Sequence, residues 1–428
     1  MAAHTSTKKG APHNGEAPIS FQLLVDAGYV ERQQERKSPK MRATRSMDSL
    51  SSWVLEELRA TGFEYRDGLL VETAVSKDDI RNLHARQRGS LLRRAGKFVA
   101  QWQGRLIHHY ANGADVEPSA IDPKIIPVRT KEQAALFKYT SLHWSVPVSA
   151  GYGRRTRFLV VDKQNDALIG IFALGDPVYN LKVRDELIGW DINGRNARLY
   201  NILDAFVMGA VPPYRQLIGG KLIAMAAASD TTRDYVGRKY RGQLTEIQRR
   251  IKDPVPVLIT TTSALGRSSI YNRLTFRGYR LYHSIGYTKG FGHFHFSDQL
   301  FAALTEFLRA KGLAPGNQYG CGPSWKIRTL RIALTKLGLN PELIQHGIQR
   351  EVFLAPLASN WQEYLRGETV RRKWLKLRLG EMAAYYRERW AVPRASRDKS
   401  YLQVDRSSML LMAGYQTPLI ESEDHETW

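Results

Sequence analysis

The chain has 428 residues, 43% of them hydrophobic and 24% charged, so it is long enough to bury a sizeable core. It has no apolar run of about 18 residues and no N-terminal apolar segment before a cleavage site, which predicts neither a transmembrane helix nor a secretory signal. Cys321 is the only cysteine, which excludes a disulfide framework and a cysteine-based zinc site. We expect a soluble cytoplasmic protein with no membrane partner.

Charge is the unusual feature of the composition. Lys and Arg number 63 against 41 Asp and Glu, giving a formal net charge of +22. Phosphate backbones attract such surfaces through counterion release, without sequence specificity. The charge therefore predicts a nucleic-acid partner, with DNA favoured, although a basic surface can also serve solubility alone.

The first 130 residues divide into two predicted parts. Residues 1–47 are rich in basic, Ser, Gly and Pro residues and read as a basic, poorly ordered arm. Residues 48–130 form a helical N-terminal region, in which apolar spacing predicts a long helix over 78–111 with a basic stripe. The stretch 118–127 reads as a connector.

Residues 131–298 are predicted to be an α/β core. Short apolar runs alternate with Gly-marked turns, and the turn at 164–166 suits a hairpin. Strands or strand-like stretches are expected at 158–161, 168–174, 188–191, 202–211 and 259–263, with an apolar helix at 222–228 and a final hairpin ending at 287–296.

Residues 299–411 are predicted to be a basic helical C-terminal region, followed by a loose acidic tail at 412–428. Helices are expected over 298–313, 325–337 and 361–390. Arg371, Arg372 and Lys373 lie in the last of these, where Trp and Tyr are interleaved with basic residues and could stack on bases. The alternative is that these aromatics belong to the core.

A glycine-marked turn between a strand and an apolar helix is the first candidate for chemistry. Gln216, Gly219, Gly220 and Lys221 lie at this turn. Backbone N–H groups at a helix N-terminus, with glycines that permit close approach, suit a pyrophosphate.

This turn resembles the Gln/Arg-x-x-Gly-x-Gly/Ala signature of the GCN5-related N-acetyltransferase superfamily, in which it holds acetyl-CoA. The run Ser-Ser-Ile-Tyr-Asn-Arg at 268–273 is similar to the superfamily's fourth-helix pattern, which implies Tyr271 as a general acid. The strand order also agrees, so the resemblance implies a GCN5-acetyltransferase-like mixed sheet. Lys221 departs from the preferred Gly or Ala, and Pro212 and Pro213 remove two backbone donors before the turn.

The second candidate is His293 and His295, with Asp298 nearby. On a strand, residues i and i+2 face the same side, so both imidazoles could reach one metal ion or phosphate, and Asp298 could orient one of them. This resembles the His-hydrophobic-His motif of nucleases and relaxases with a tyrosine nucleophile, for which Tyr271, Tyr282 and Tyr287 are conceivable partners. Paired structural or surface histidines are the alternative.

The third candidate is a polar cluster expected at the strand ends. An arginine cluster there would bind phosphate bidentately. The alternative is an arginine–carboxylate network that fixes loops. The members are Arg154, Arg155, Asp176, Arg184, Asp191, Arg267, Ser268 and Ser269.

Several longer phrases identify the chain as similar to a single known family. They include Gly-Asp-Pro-Val-Tyr-Asn at 175–180, the run from 260 to 274 and Gly-His-Phe-His-Phe-Ser-Asp at 292–298. They resemble the family of the Druantia anti-phage system protein DruA, from about residue 50 to 411. The resemblance implies a bacterial defence component that acts beside other system proteins, including a large helicase-like one. Members also occur with mobile elements, which keeps a transposition-linked role open.

Three functions follow as hypotheses. The first is a DNA-binding, antiviral defence factor whose nucleic-acid contacts include Arg154, Arg155, Arg184, Arg267 and the basic run at 371–373. The second is an acyltransferase that uses acetyl-CoA, with Tyr271 as the acid. The third is a metal-dependent nuclease or transposition-associated protein that uses His293 and His295. The cofactor stays open between acetyl-CoA, a divalent metal and none.

Overall fold

Eleven strands, among the residues described by the computed structural model, supply the β-structure of the protein. The described residues are 47–71, 76–148, 153–245, 249–313 and 325–411, so the predicted tail and nearly all of the predicted arm lie outside them. The strands are β1 Glu64–Arg66, β2 Leu69–Val71, β3 Pro123–Pro127, β4 Arg155–Asp162, β5 Leu168–Gly175, β6 Ile202–Ala210, β7 Leu258–Thr262, β8 Thr275–Phe276, β9 Tyr279–Arg280, β10 His283–Tyr287 and β11 Glu351–Pro356.

The helices flank these strands in sequence and in space. Those described are α1 Met47–Thr61, α2 Lys77–Leu106, α3 Lys131–Ser141, α4 Lys182–Ile188, α5 Ile192–Arg198, α6 Gly219–Ala228, α7 Asp230–Lys239, α8 Ser269–Asn272, α9 Asp298–Ala310, α10 Trp325–Lys336, α11 Trp361–Arg366, α12 Leu379–Tyr386 and α13 Val392–Arg397. A π-helical turn, Arg387–Ala391, joins α12 to α13.

Seven strands form one mixed sheet in the order β10-β11-β7-β6-β5-β4-β3. Its neighbours run antiparallel except β6 and β7, which run parallel. The parallel pairing extends from Ile202 opposite Leu258 to Asp204 opposite Thr260, whereas β6 continues beside β5 to Ala210. The predicted α/β class with a mixed sheet and flanking helices is confirmed.

Both faces of the sheet are covered. Phe158 of β4 stacks on Phe172 of β5, with 4.6 Å between ring centroids, in the cluster that also contains the fully buried helix α6. Leu159 and Ile171, the adjacent cross-strand pair, lie in the opposite cluster with Leu136 of α3. Alternation along the strands thus feeds two hydrophobic layers, and β5 is buried throughout because both layers press on it.

A separate helical cluster packs α1 against α9 and α10. Leu58 of α1, Leu304 of α9 and Leu334 of α10 are fully buried in it. The expected helices over 298–313 and 325–337 are confirmed as α9 and α10. The long helix expected at 78–111 is α2, which begins at a Ser76–Asp79 capping box.

Four local predictions are wrong. Residues 188–191 are not strand-like, since Gly189 ends α4 in the left-handed region (φ 75°) and Asp191 caps α5. The 118–127 connector contains the edge strand β3. The helix expected over 361–390 stops at Arg366, because Gly367 takes φ 84°, and the chain up to Arg378 is non-helical with one antiparallel bridge at Trp374. No strand forms at 293–296, where the described chain turns instead.

The sheet also reaches beyond the predicted core of 131–298. β3 comes before that range, and β11 comes from the region predicted to be helical. β11 inserts between β7 and β10. The last strand within the predicted core, β10, therefore pairs with a strand that comes from outside that core. The division of the chain into domains stays a prediction.

Candidate nucleic-acid interface

The glycine-marked turn lies at the start of α6 as predicted, but it is buried. The N–H groups of Gly219 and Lys221 donate to the carbonyl oxygens of Tyr214 (2.8 Å) and Ile218 (3.1 Å). The Lys221 ammonium donates to the carbonyl of Ile270 at 3.2 Å. Glycine is required at 219, since a Cβ there would lie 2.6 Å from the Tyr214 oxygen. These donors therefore act within the fold.

The C-terminal helices cover the same turn. The Tyr386 hydroxyl donates to the Leu217 carbonyl at 2.7 Å, and Arg394 donates to the Gln216 carbonyl at 3.3 Å. Together with the buried Gly219 and Gly220, these contacts make the turn a structural joint between α6 and α12. The described geometry offers no open cradle for a pyrophosphate there.

Tyr271, the candidate general acid, belongs to an aromatic group in the core. Its ring centroid lies 5.1 Å from that of Tyr282 and 5.0 Å from that of Phe353. The Tyr282 hydroxyl donates to the carbonyl of Ala224 at 2.9 Å, and burial raises the pKa of Tyr282 well above its usual value. This packing fills the space between α6 and β11.

The His293–His295 motif lies in a turn, so the expected strand alternation does not apply to it. His295 is 2% exposed and its Nε2 lies 2.8 Å from the Leu343 carbonyl oxygen. Asp298 pairs with Arg94 at 2.8 Å. Within the described ranges, no group of three or more His, Cys, Asp or Glu side chains is arranged to hold a metal ion.

His295 instead belongs to a buried histidine cluster, defined here as His84, His295 and His346 around Phe294, with Arg350 beside it. Ring centroids lie 4.1 Å apart for His84 and Phe294, 4.9 Å for Phe294 and His346, and 5.8 Å for His295 and His346. The cluster joins α2, the turn before α9 and the segment before β11.

Burial keeps these imidazoles neutral. Burial first, and then the charge of Arg350, lower the pKa of His84 and of His346 to about 4. Burial likewise lowers the pKa of His295 to about 3. The Arg350 guanidinium donates to Nε2 of His84 at 3.1 Å, which requires that nitrogen to be unprotonated.

The predicted polar cluster is an arginine–carboxylate network at its two most buried members. Arg154 pairs with Asp176 at 2.7 Å and lies 3.6 Å over the Tyr200 ring. Arg184 is fully buried, pairs with Asp185 at 2.7 Å and donates to the Val178 carbonyl at 2.8 Å. Both guanidinium groups fix loops, so phosphate contact by Arg154 and Arg184 is at odds with their burial.

The remaining members of that cluster are separated. Arg155 lies 3.8 Å over the Phe206 ring on the sheet, and Asp191 caps α5 by accepting from the Gly194 N–H at 2.7 Å. Arg267 is exposed in the loop after β7. The structure therefore does not gather these side chains in one cleft.

The basic run at 371–373 lies in the extended segment between α11 and α12. Arg371 and Lys373 are exposed, while Arg372 pairs with Asp253 at 2.6 Å. Trp374 is 37% exposed, with the Arg233 guanidinium of α7 4.5 Å from its ring centroid. The predicted interleaving of basic and aromatic groups is therefore present, but on an extended strand-like segment.

This segment ends beside the first residue of α7. The N–H of Asp230 donates to the Leu377 carbonyl at 3.0 Å, so α7 starts where the segment ends. At the other end of α7, the Lys239 ammonium donates to the Arg155 carbonyl at 2.8 Å. Burial of that ammonium against β4, together with the charges of Arg157 and Arg129, lowers the pKa of Lys239 to about 8.

A groove of about 480 Å³ opens between β3 and α7 and is called the β3–α7 groove. The Arg129 guanidinium lies 5.4 Å from the Tyr235 ring centroid, and its Nε donates to the Tyr235 hydroxyl at 3.4 Å. The lining residues are Ile125, Ile126, Pro127, Arg129, Thr130, Gln133, Phe158, Thr231, Tyr235 and Arg238.

The groove and the extended segment together form the basic face. Of its cations, Arg233 and Arg372 pair with Asp234 and Asp253. For five others, no ion-pair partner exists among the described residues: Arg129, Arg238, Arg371, Lys373 and Lys376. The full set is Arg129, Arg157, Arg233, Arg238, Lys239, Arg371, Arg372, Lys373 and Lys376, with Tyr235 and Trp374 as aromatics.

The sequence predictions missed the α7 half of this face. Arg129 and Tyr235 are 106 residues apart, and the antiparallel edge of the sheet is what brings their elements together. A local signal did exist in the Arg-Lys-Tyr-Arg run at 238–241, where three basic residues surround a tyrosine. Its significance depends on the basic segment beside it, which comes 130 residues later in the chain.

Asp204 was also missed. It ends the parallel pairing of β6 with β7 and accepts from the Thr260 hydroxyl at 2.9 Å. Burial raises the pKa of Asp204 to about 6, against the opposing effects of the Thr260 hydrogen bond and of the Arg184 and Arg155 charges. It is the carboxyl for which the described structure shows a pKa nearest neutrality.

Comparisons with known proteins place the chain in one family. The family described as Druantia protein DruA matches residues 74–367. A protein from Escherichia coli (strain UMEA 4076-1), named Druantia protein DruA, is 44% identical over 359 residues, covering 82% of this chain and 88% of that protein. No solved structure matches the chain. Through its described residues, the chain has no helix both long enough and apolar enough to cross a membrane.

Proposed function

The chain belongs to the Druantia protein DruA family, and from this membership and the basic face we propose that it is an anti-phage defence component that binds DNA. The observation that supports DNA binding most strongly is the basic face itself. It brings cations from three distant parts of the chain to α7 and the segments beside it, several of them without an ion-pair partner among the described residues.

The physical basis is counterion release. Most cations on a protein surface lie near acidic groups. A cation paired in this way attracts a phosphate only weakly. The segment pairs with Ala358 at Trp374, and in an extended chain alternate residues such as Arg371 and Lys373 are spaced by roughly 7 Å, close to the spacing of successive phosphates along a strand. An extended basic segment can thus follow a backbone.

Aromatic groups add a second kind of contact. The Trp374 ring is flanked by Arg233 at 4.5 Å and Arg372 at 5.2 Å, which hold it at the surface. Base stacking on such a ring is sequence-tolerant, because every base has a π-face. The face therefore supports binding without strong sequence preference.

Partners beyond DNA are proposed from the family alone. Other Druantia proteins, including a helicase-like one, would act on the same nucleic acid. The acyltransferase and nuclease alternatives have no comparable support within the described residues, since the Gly219 turn is buried and His295 is enclosed.

The test measures binding of the purified protein to a duplex and to a single strand across a salt series. The Arg371→Ala/Lys373→Ala/Lys376→Ala variant is expected to weaken binding to both and to reduce the slope of log K against log salt on duplex DNA by about 2.7, at ~0.9 per phosphate contact.

The matched control removes the same charge elsewhere. Arg309, Lys311 and Lys336 are exposed on α9 and α10, and their triple alanine variant has the same net charge as the first. Equal losses in the two variants would mean that net charge, and not the basic face, governs binding. No binding by the wild type at low salt would overturn the proposed function.

A further inference from the structure

The β3–α7 groove differs in chemistry from the rest of the basic face. Its floor is apolar and is formed by Ile125 of the edge strand β3, beside the fully buried Phe158 of the neighbouring strand β4. Its rim has Arg129 after β3 on one side, and Thr231 and Arg238 of α7 on the other. A volume of about 480 Å³ lies within the range of about 300–1,000 Å³ for small-molecule sites.

The rim concentrates positive charge. Lys239 lies beside the groove, near enough to Arg157 and Arg129 for both to disfavour its protonation. No carboxylate pairs with Arg129 or Arg238 among the described residues. An anion placed at this rim would relieve the repulsion among these cations, and a phosphate group would accept hydrogen bonds from more than one of them.

Tyr235 is fixed in place at the groove wall. Its ring meets the Phe158 ring edge-on, with centroids 5.5 Å apart and planes inclined by 76°. Its hydroxyl accepts from Arg129, whose guanidinium lies along the ring. The result is a pre-ordered aromatic and guanidinium surface, which is the kind of platform on which unstacked bases bind.

Resting on the proposed DNA-binding function, we propose that the β3–α7 groove holds one unpaired nucleotide of a bound single strand. Its phosphate lies against Arg129, Arg238 and Lys239, and its base lies over the apolar floor beside Tyr235. A phosphate alone would not use the apolar floor, and a duplex keeps its bases stacked away from such a floor. The groove thus selects single strands or strand ends over uninterrupted duplex.

The experiment compares a thymidine homopolymer, a blunt duplex of equal length and free thymidine monophosphate as probes. Tyr235→Leu removes the ring and keeps every charge. It is expected to lower affinity for the single strand about tenfold and to leave duplex affinity unchanged. Tyr235→Phe keeps the ring and is expected to retain single-strand binding.

A second variant guards against local unfolding. Thr231→Trp fills the groove from an exposed position of α7 without changing charge, and it is expected to repeat the single-strand loss with an unchanged melting temperature. Equal effects of Tyr235→Leu on single strand and duplex, or no effect on either, would refute the inference.

The outcomes separate the inference from the function on which it rests. If the 371/373/376 variant weakens both probes while Tyr235→Leu and Thr231→Trp change neither, DNA binding stands and the groove assignment fails. If no DNA is bound at all, the proposed function fails first. If thymidine monophosphate binds tightly and the groove variants abolish that binding with no effect on DNA, the groove serves free nucleotides and its assignment to a strand is overturned.

Discussion

The basic face and the histidine cluster both gather basic side chains from distant parts of the chain. The face is made of charged Arg and Lys side chains, whereas the imidazoles of the cluster are neutral. Lys373 and Arg238 of the basic face are exposed to water. His84, His295 and His346 are almost fully buried, and burial moves the pKa of each well below neutrality. Solvent exposure and residue type together decide which of the two regions can attract an anion.

The difference explains why a His-x-His motif was a poor guide. On an exposed strand, two alternate imidazoles would be available for a metal or phosphate. Here the His295 ring packs against Phe294 and the Leu343 carbonyl. The neutral imidazole is therefore part of the core. The basic face, by contrast, is built from Arg and Lys, whose charge persists without special surroundings.

The largest expected effect is acid destabilisation through the histidine cluster. The folded pKa values of about 4, 3 and 4 lie below the unfolded value of 6.5, so the unfolded state binds more protons in between. Stability is therefore full above pH 6.5 and is lost as the pH falls toward 4. From pH 7.5 to 5 the loss should be about 2 kcal/mol per histidine, measured by urea unfolding.

His84→Gln should reduce by one the number of protons that the chain binds on unfolding near pH 5. Substitution of the exposed His108 by Gln should leave that number unchanged. An identical pH profile in wild type and His84→Gln would show that the cluster does not control acid stability.

The next effect contrasts one arginine from each region. Arg350 lowers the pKa of His84 and of His346, so Arg350→Gln should raise both and reduce the acid-induced loss of stability by about 1 kcal/mol. Arg371 is exposed, so Arg371→Gln should change stability by less than about 0.5 kcal/mol and weaken DNA binding. Urea unfolding at pH 5 measures stability, and DNA titration at low salt measures affinity. A change in acid stability with Arg371→Gln and none with Arg350→Gln would contradict the comparison.

Asp204 belongs to neither region, and burial shifts its pKa toward neutrality. Its folded pKa of about 6 exceeds the usual 3.8, so its contribution to stability is lost as the pH rises from 4 to 6. Asp204→Asn keeps an oxygen to accept the Thr260 hydroxyl and removes the buried charge. It should stabilise the protein by about 1–2 kcal/mol at pH 7.5 and not at pH 4, measured by unfolding at both values. Equal stability at pH 7.5 would show that the carboxylate is better solvated than its position indicates.

Much of the central sheet was predictable, because apolar runs and turn residues act locally. The strands β4, β5, β6 and β7 and the helix α6 were all expected from such runs. The insertion of β11 was not, since its six residues lie among basic helices and pair with strands more than 60 residues earlier. Long-range pairing leaves no local signal of that kind.

The candidate site was predictable only in part, for a related reason. Arg371 and Lys373 were found because a basic run is visible in one dimension. Arg154 and Arg184 looked equivalent in sequence, yet each is enclosed by a carboxylate and backbone carbonyls. Burial separates a structural arginine from a binding one, and burial is a property of the folded chain.

The smallest expected effect concerns Lys239, a member of the basic face. Lys239 has its pKa lowered to about 8, first by burial and then by Arg157 and Arg129, so it loses its proton as the pH rises through 8. A bound phosphate favours the protonated form, and DNA affinity should therefore fall about two- to threefold between pH 7 and 9. Lys239→Arg stays charged throughout and should remove this decline, in titrations at constant salt. A decline of the same size in the arginine variant would place the titrating group elsewhere, whereas loss of the decline would show that Lys239 contacts the nucleic acid.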